Sequence, residues 1–150
     1  MAITPNTTFT AGNVLTAAQM NRLPWGIMQY ATKATNFSVT TSEADVGLSV
    51  TFTAVANRYY RYTVFIPSAD ADPSILTLKV TDSSNVSKYR VLEDIDGPAQ
   101  YTHIILSYVS TESAGSVTRK ARALQSTGGG VFQMDSTNVG WMLVEDIGAA

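Results

Sequence analysis

Residues 46–66 read VGLSVTFTAVANRYYRYTVFI, and this stretch decides the fold class. Leu48, Val50 and Phe52 alternate with Ser49, Thr51 and Thr53. Tyr60, Tyr62, Val64 and Ile66 alternate with Arg61, Thr63 and Phe65. A period of two sends successive side chains to opposite faces of a strand, so the pattern predicts two half-buried strands, Val46–Val55 and Tyr59–Ile66. Outward from this centre the same signal recurs in short pieces. Gly26–Ala31 and Asn36–Thr41 precede it. Leu76, Leu78 and Val80 then lead through the turn Asp82-Ser83-Ser84-Asn85 into Val86–Leu92, which reads as a hairpin. Gln100–Val109 carries Ile104, Ile105 and Leu106 in succession, the pattern of a central strand covered on both faces. Ser116–Leu124, Val131–Met134 and Gly140–Val144 complete eight or nine strands. Their number and regular spacing predict an all-β antiparallel β-sandwich or jelly roll over residues 26–150.

Residues 1–25 read differently. Met1–Gly12 is rich in Thr with few large apolar residues, the composition of an extended arm. Thr16-Ala17-Ala18-Gln19 has the spacing of a capping box, in which Thr16 and Gln19 satisfy each other's backbone N–H, so a short helix starts there. Pro24 limits it to about two turns, because the residue before proline is pushed out of helical geometry. Phe9, Val14, Leu15, Met20, Leu23 and Trp25 are large apolar groups on a segment too short to bury them within itself, which marks them as an attachment or oligomer interface, with the chain's own sandwich as the alternative partner surface.

Composition bounds the function. The 150 residues are 45% hydrophobic and 15% charged, the make-up of one domain with a real core. Ten Lys and Arg against twelve Asp and Glu leave a net charge of −2 and no overall field to attract phosphates, so a nucleic-acid partner is not expected. Without cysteine there are no disulfides, thiolate metal sites or thiol nucleophiles. No apolar run reaches the roughly 18 residues that span a bilayer, and no signal-peptide pattern opens the chain, so a soluble protein made in the cytoplasm without a membrane partner is expected.

The chemistry-bearing residues are sparse. His103 is the single histidine and lies mid-strand, so a packed or surface role is expected ahead of catalysis. Carboxylates cluster at Asp70 with Asp72, at Glu93-Asp94 with Asp96, and at Glu145-Asp146. All read as turn acids, since Asp94-Ile95-Asp96-Gly97 lacks the later ligands of a calcium loop, with a weak surface calcium site where strand-connecting loops converge as the alternative. Gly128-Gly129-Gly130 has no following Lys and Ser or Thr, so it is a turn and not a phosphate loop. Arg119, Lys120 and Arg122 suit a solvated face or intersubunit ion pairs. Neither a catalytic set, a metal site nor a cofactor is expected. Tyr59, Tyr60 and Trp141 are the candidates for an exposed platform on which sugar rings could stack, with packing inside the sandwich as the alternative for alternate tyrosines.

The segment Thr8–Gly26, TFTAGNVLTAAQMNRLPWG, resembles the opening of short virion structural proteins of tailed bacteriophages, and Trp141–Gly148, WMLVEDIG, is similar to their ending. The resemblance implies a non-enzymatic virion component assembled in the host cytoplasm and assigns no catalytic residues. Its first expectation is a capsid decoration or cement protein that grips the major capsid protein, or other virion proteins, through the N-terminal arm. The alternative is a tail-associated, minor tail or fibre, module that recognises host glycan. By analogy with such proteins a homotrimer is the expected assembly.

Overall fold

The computed structural model describes residues 14, 16–71, 74–95 and 101–150. Among the described residues, ten strands follow one helical turn, α1 (Ala17–Met20): β1 (Gly26–Lys33), β2 (Phe37–Val39), β3 (Ala44–Ala54), β4 (Arg58–Ala71), β5 (Ser74–Thr81), β6 (Ser87–Ile95), β7 (Thr102–Thr111), β8 (Gly115–Gln125), β9 (Gly130–Phe132) and β10 (Gly140–Ala149). Every pairing is antiparallel. One sheet runs β1-β10-β4, with β7 on the other side of β4 and the short β9-β2 ribbon at its far end. The second runs β3-β8-β5-β6. Chain-adjacent strands repeatedly cross between the two sheets, so the two layers pack as a sandwich.

The alternation read from residues 46–66 is what joins the layers. Val46, Leu48, Val50, Phe52 and Ala54 point inward from β3, and Tyr60, Tyr62, Val64 and Ile66 point inward from β4. They meet Leu76, Leu78 and Val80 of β5, Ala121 and Ala123 of β8, and Met142 and Val144 of β10 in one cluster. Each large aliphatic or aromatic side chain buried this way is worth about 1.5–3 kcal/mol.

Four expectations are corrected. β7 is an edge strand, not a central one: among the described residues it pairs with β4 alone. The run Ile104-Ile105-Leu106 is still split by the pleat, with Ile104 and Leu106 buried and Ile105 55% exposed. Arg119 does not belong to a solvated face, because it is turned inward and paired with Glu112. Asp146 is no turn acid but a buried member of β10. Tyr60 is fully buried against Phe52, with ring centroids 5.0 Å apart, and its hydroxyl accepts from the Val55 N–H at 2.8 Å.

At the N-terminal end, Thr16 caps the single turn: its hydroxyl accepts from the Gln19 N–H at 3.2 Å, and the Gln19 side chain accepts from the Thr16 N–H at 2.9 Å. Residues 1–13, with Phe9, lie outside the described residues, as do Leu15, Asp72 and Asp96.

Candidate functional site

The outward face of the first sheet carries the most unusual surface of the described chain. Register places side chains in rows across four strands. One row is Thr32, Trp141, Phe65 and Ile105, from β1, β10, β4 and β7 in turn. The next is Tyr30, Leu143, Thr63 and Ser107. Trp141 stands between two other rings, 5.5 Å from Phe65 and 6.2 Å from Tyr30, all tilted with respect to one another. Tyr30 is 51% exposed, and Phe65 and Trp141 are half-buried. Three contiguous aromatics and an exposed isoleucine on a sheet face that the described chain leaves open make a patch that calls for a partner.

Polar groups border the patch. Thr63 and Ser107 hydroxyls lie 3.2 Å apart beside it, and Arg61 pairs with Glu145 at 2.8 Å in the third row. The surface therefore offers ring faces, hydroxyls and a neutralised ion pair. That is the chemistry of a group with an apolar side and a hydroxylated rim.

Of the three residues expected to form a glycan platform, Trp141 lies in this patch, Tyr60 is in the core and Tyr59 is remote. Tyr59 shares the outward parity of Phe65 but stands six residues along β4 from it, about 20 Å away. Tyr30 and Phe65 were not singled out from the sequence. The available signal for Phe65 was a large aromatic at the parity of Arg61 and Thr63, the polar face of its own strand. For Tyr30 nothing local existed, because only the register of β1 on β10 brings it to Trp141.

A second surface lies where the chain enters the sandwich. Arg58 and Asp146 form a buried ion pair, and the second Asp146 oxygen accepts from Arg58 Nη2 at 2.6 Å. The same guanidinium donates to the Asn21 carbonyl and, at 2.6 Å, to the Leu23 carbonyl, and it lies 4.1 Å over the Trp25 ring. Asp146 also accepts from the Gly148 N–H at 2.9 Å and the Trp25 N–H at 3.4 Å. The result is a clasp that fastens residues 21–25 to the sandwich while Met20, Leu23 and Trp25 keep their apolar surfaces exposed. Val14 is exposed as well.

The remaining polar clusters tie elements together. Glu112 accepts from the Tyr62 hydroxyl at 2.7 Å and from Arg119 at 2.5 Å, and Tyr108 stacks between Tyr62 and Tyr89 at 5.0 and 5.2 Å. Burial, reinforced by the Glu112 hydrogen bond, pushes the Tyr62 hydroxyl far above the ordinary phenol range, and burial raises Tyr108 too. Arg119 loses hydration by burial, but the charge and hydrogen bond of Glu112 outweigh this and hold it protonated. Glu43 receives Lys79 and, at 2.7 Å, Arg122 on the outer face of the second sheet. A cleft of about 370 Å³ lies beside Asp70, Ser38 and the Gly129-Gly130 turn. His103 stands exposed on β7, and among the described residues no three His, Asp or Glu side chains converge as a metal site would require.

No family model and no curated protein matches the chain. Among solved structures it is similar to TmCBM61 in complex with beta-1,4-galactotriose, at 15% identity over 73% of this chain and 67% of that one, with a TM-score of 0.39. It is also similar to a carbohydrate binding module from Cellvibrio mixtus lichenase 5A in complex with cellotriose, at 13% identity over 79% and 96% of the two chains, TM-score 0.37. A third similarity is to the enzymatically active domain of tailspike protein 4 of bacteriophage CBA120, at 11% identity over 77% of this chain and 19% of that one, TM-score 0.34.

Proposed function

We propose that the chain is a non-catalytic carbohydrate-binding module of a bacteriophage virion, placed on the tail and reading host surface glycan through the outer face of the first sheet. The observation that carries this is the contiguous row Tyr30, Trp141 and Phe65. Aromatic faces hold the C–H side of a sugar ring, while neighbouring hydroxyls such as Thr63 and Ser107 exchange hydrogen bonds with its rim. The charge nearest the row, Arg61, is paired with Glu145, so a neutral glycan fits better than an acidic one. The virion setting rests on the resemblance of the two chain ends to phage structural proteins.

The test is binding of purified host surface polysaccharide by calorimetry. Losing the contact area of one ring costs about 2 kcal/mol, about thirty-fold in Kd. Trp141→Ala and Phe65→Ala are expected to show that loss with an unchanged circular dichroism spectrum, and Tyr59→Ala is expected to bind as wild type. Undiminished binding by Trp141→Ala refutes the reading.

A second reading, capsid decoration through the N-terminal segment, is favoured by one feature: the clasp presents Met20, Leu23 and Trp25 outward at a fixed point of the sandwich. Imaging labelled virions separates the two, since the first places the protein on the tail and the second on the head.

A further inference from the structure

We infer that the cleft at the β2-β9-β4 end of the first sheet is a second sugar subsite, which takes a further ring of the glycan that the aromatic row engages. The inference rests on the glycan reading proposed above. Register builds the cleft. Ser38 of β2 pairs with Val131 of β9, and Val131 pairs with Asp70 of β4, so the three side chains stand in one row across three strands. The adjacent row, Phe37, Phe132 and Ala69, packs in or against the core. A period of two therefore turns Ser38, Val131 and Asp70 to the outer face. That face is the one that carries Phe65: Ile66 and Ala69 both point inward on either side of the register shift in β4, which leaves Phe65 before it and Asp70 after it on the same side.

The chemistry of the row suits a hydroxylated ring. Neighbouring strands lie about 4.8 Å apart, so Ser38 and Asp70 stand about 10 Å from one another with Val131 between them. Val131 is a small apolar floor for ring C–H groups. On one side the Ser38 hydroxyl both donates and accepts, and on the other the Asp70 carboxylate accepts from two neighbouring hydroxyls at once. The cleft has a volume of about 370 Å³, and the Gly129-Gly130 turn forms a further wall.

Two observations mark these groups as a site. Asp70 is half-buried, yet among the described residues its carboxylate has no hydrogen-bond or ion-pair partner. Against the glycine turn lies Gln125, 1% exposed, whose Nε2 and Oε1 both lack a partner among the described residues. Buried polar groups are nearly always paired. The Gln125 Nε2 stands 4.0 Å from the point where a Gly129 side chain would begin, which puts the unpaired amide directly behind the cleft wall. A cation is the poorer occupant, since Asp70 is the one carboxylate among the described residues that line the cleft and a calcium ion gathers several oxygen ligands. Asp70 follows Phe65 by five residues of β4, no more than about 17 Å. A glycan of several rings laid along β4 reaches both places, and the second contact then adds to the first as an intramolecular one.

The test is calorimetry of the full chain with purified host surface polysaccharide and with a disaccharide cut from it, which is too short to span the two places. Wild type is expected to bind the polysaccharide more than about ten-fold tighter than the disaccharide. Asp70→Ala is expected to weaken polysaccharide binding about ten-fold with an unchanged circular dichroism spectrum. Asp70→Asn, which keeps the shape and gives up the charge, is expected to weaken it about five-fold and serves where the alanine variant misfolds. Undiminished polysaccharide binding by the Asp70 variants, equal wild-type affinity for the disaccharide, or wild-type binding abolished by EDTA overturns the inference, while Trp141→Ala judges the aromatic row separately. A wild type that binds no polysaccharide overturns both.

Discussion

Replacing Arg58 with alanine probes the clasp that fixes the chain's entry into the sandwich. Arg58 is buried, and its guanidinium serves Asp146, the Asn21 and Leu23 carbonyls and the Trp25 ring together. Alanine leaves Asp146 as an uncompensated charge that is itself 1% exposed, still facing the Gly148 and Trp25 N–H groups but without its counterion. Breaking a buried pair from one side costs about 3–5 kcal/mol, a large part of the roughly 5–15 kcal/mol that holds a domain of this size. With a urea dependence of about 2 kcal/mol per molar, the unfolding midpoint should fall by about 2 M. Removing both charges by Arg58→Met with Asp146→Leu should recover much of that loss, because no isolated charge then remains. Tryptophan fluorescence gives a local readout, since Trp25 loses its cationic neighbour in both variants, whereas Trp141 lies in the distant aromatic row. An Arg58→Ala midpoint within a few tenths of a molar of wild type would show that the clasp carries no stability and that residues 21–25 are held by something else.

Two further outcomes follow from single contacts. Gly148 adopts φ +119°, and a Cβ there would stand 3.1 Å from the Arg22 carbonyl oxygen, so Gly148→Ala is expected to lower the urea midpoint and speed proteolytic cleavage near residues 21–25. On acidification, the hydrogen bond from Lys79, and then Arg122, holds the Glu43 carboxyl below its ordinary 4.5, and backbone N–H donors hold Asp82 and Asp135 below 3.8. Depressed carboxylates stabilise the fold above their unfolded values and lose that contribution as pH falls through the folded ones. The urea midpoint is therefore expected to drop as pH is lowered from about 5 to about 3, less steeply in Glu43→Gln, and a midpoint that rises over this range contradicts the assignment.

Strand positions were legible because each core strand carries its own period-two signal, which needs no knowledge of neighbours. β3 and β4 show it most clearly, with Leu48, Val50 and Phe52 or Tyr60, Tyr62 and Val64 inward. The same arithmetic already assigned opposite faces to Tyr59 and Tyr60, and only one of them could ever have been exposed. What period-two reading cannot supply is which strand lies beside which. Ile104-Ile105-Leu106 looked like a strand covered twice because Ile105 is apolar, yet its apolar side chain belongs to an outward patch that exists only once β7 is laid against Phe65 of β4. The aromatic row has the same origin: Tyr30, Phe65 and Trp141 are spread over more than a hundred residues and meet through two registers, β1 on β10 and β10 on β4. Asp146 was misread for a related reason, since its partner Arg58 is 88 residues away and nothing local distinguishes a buried acid from a turn acid.

The placement of charge links fold to function. Six of the ten basic residues, Arg58, Arg61, Lys79, Lys88, Arg119 and Arg122, are paired with carboxylates within the molecule. The most buried of these pairs sit at seams: Arg58 with Asp146 where the N-terminal segment joins β10, and Arg119 with Glu112 where β8 meets the segment after β7. Glu43 likewise binds β5 and β8 through Lys79 and Arg122. Charge is thus largely consumed in fastening elements to one another, and the rows of the first sheet's outer face that hold Phe65, Thr63 and Arg61 carry rings, aliphatics and hydroxyls beside one neutralised pair. Long-range attraction, which needs unpaired charge and fades beyond about 8 Å at physiological salt, has little to act through in those rows. The glycan recognition proposed for that face therefore rests on close contact of shape and apolar surface, which a sugar ring supplies and a phosphate backbone does not.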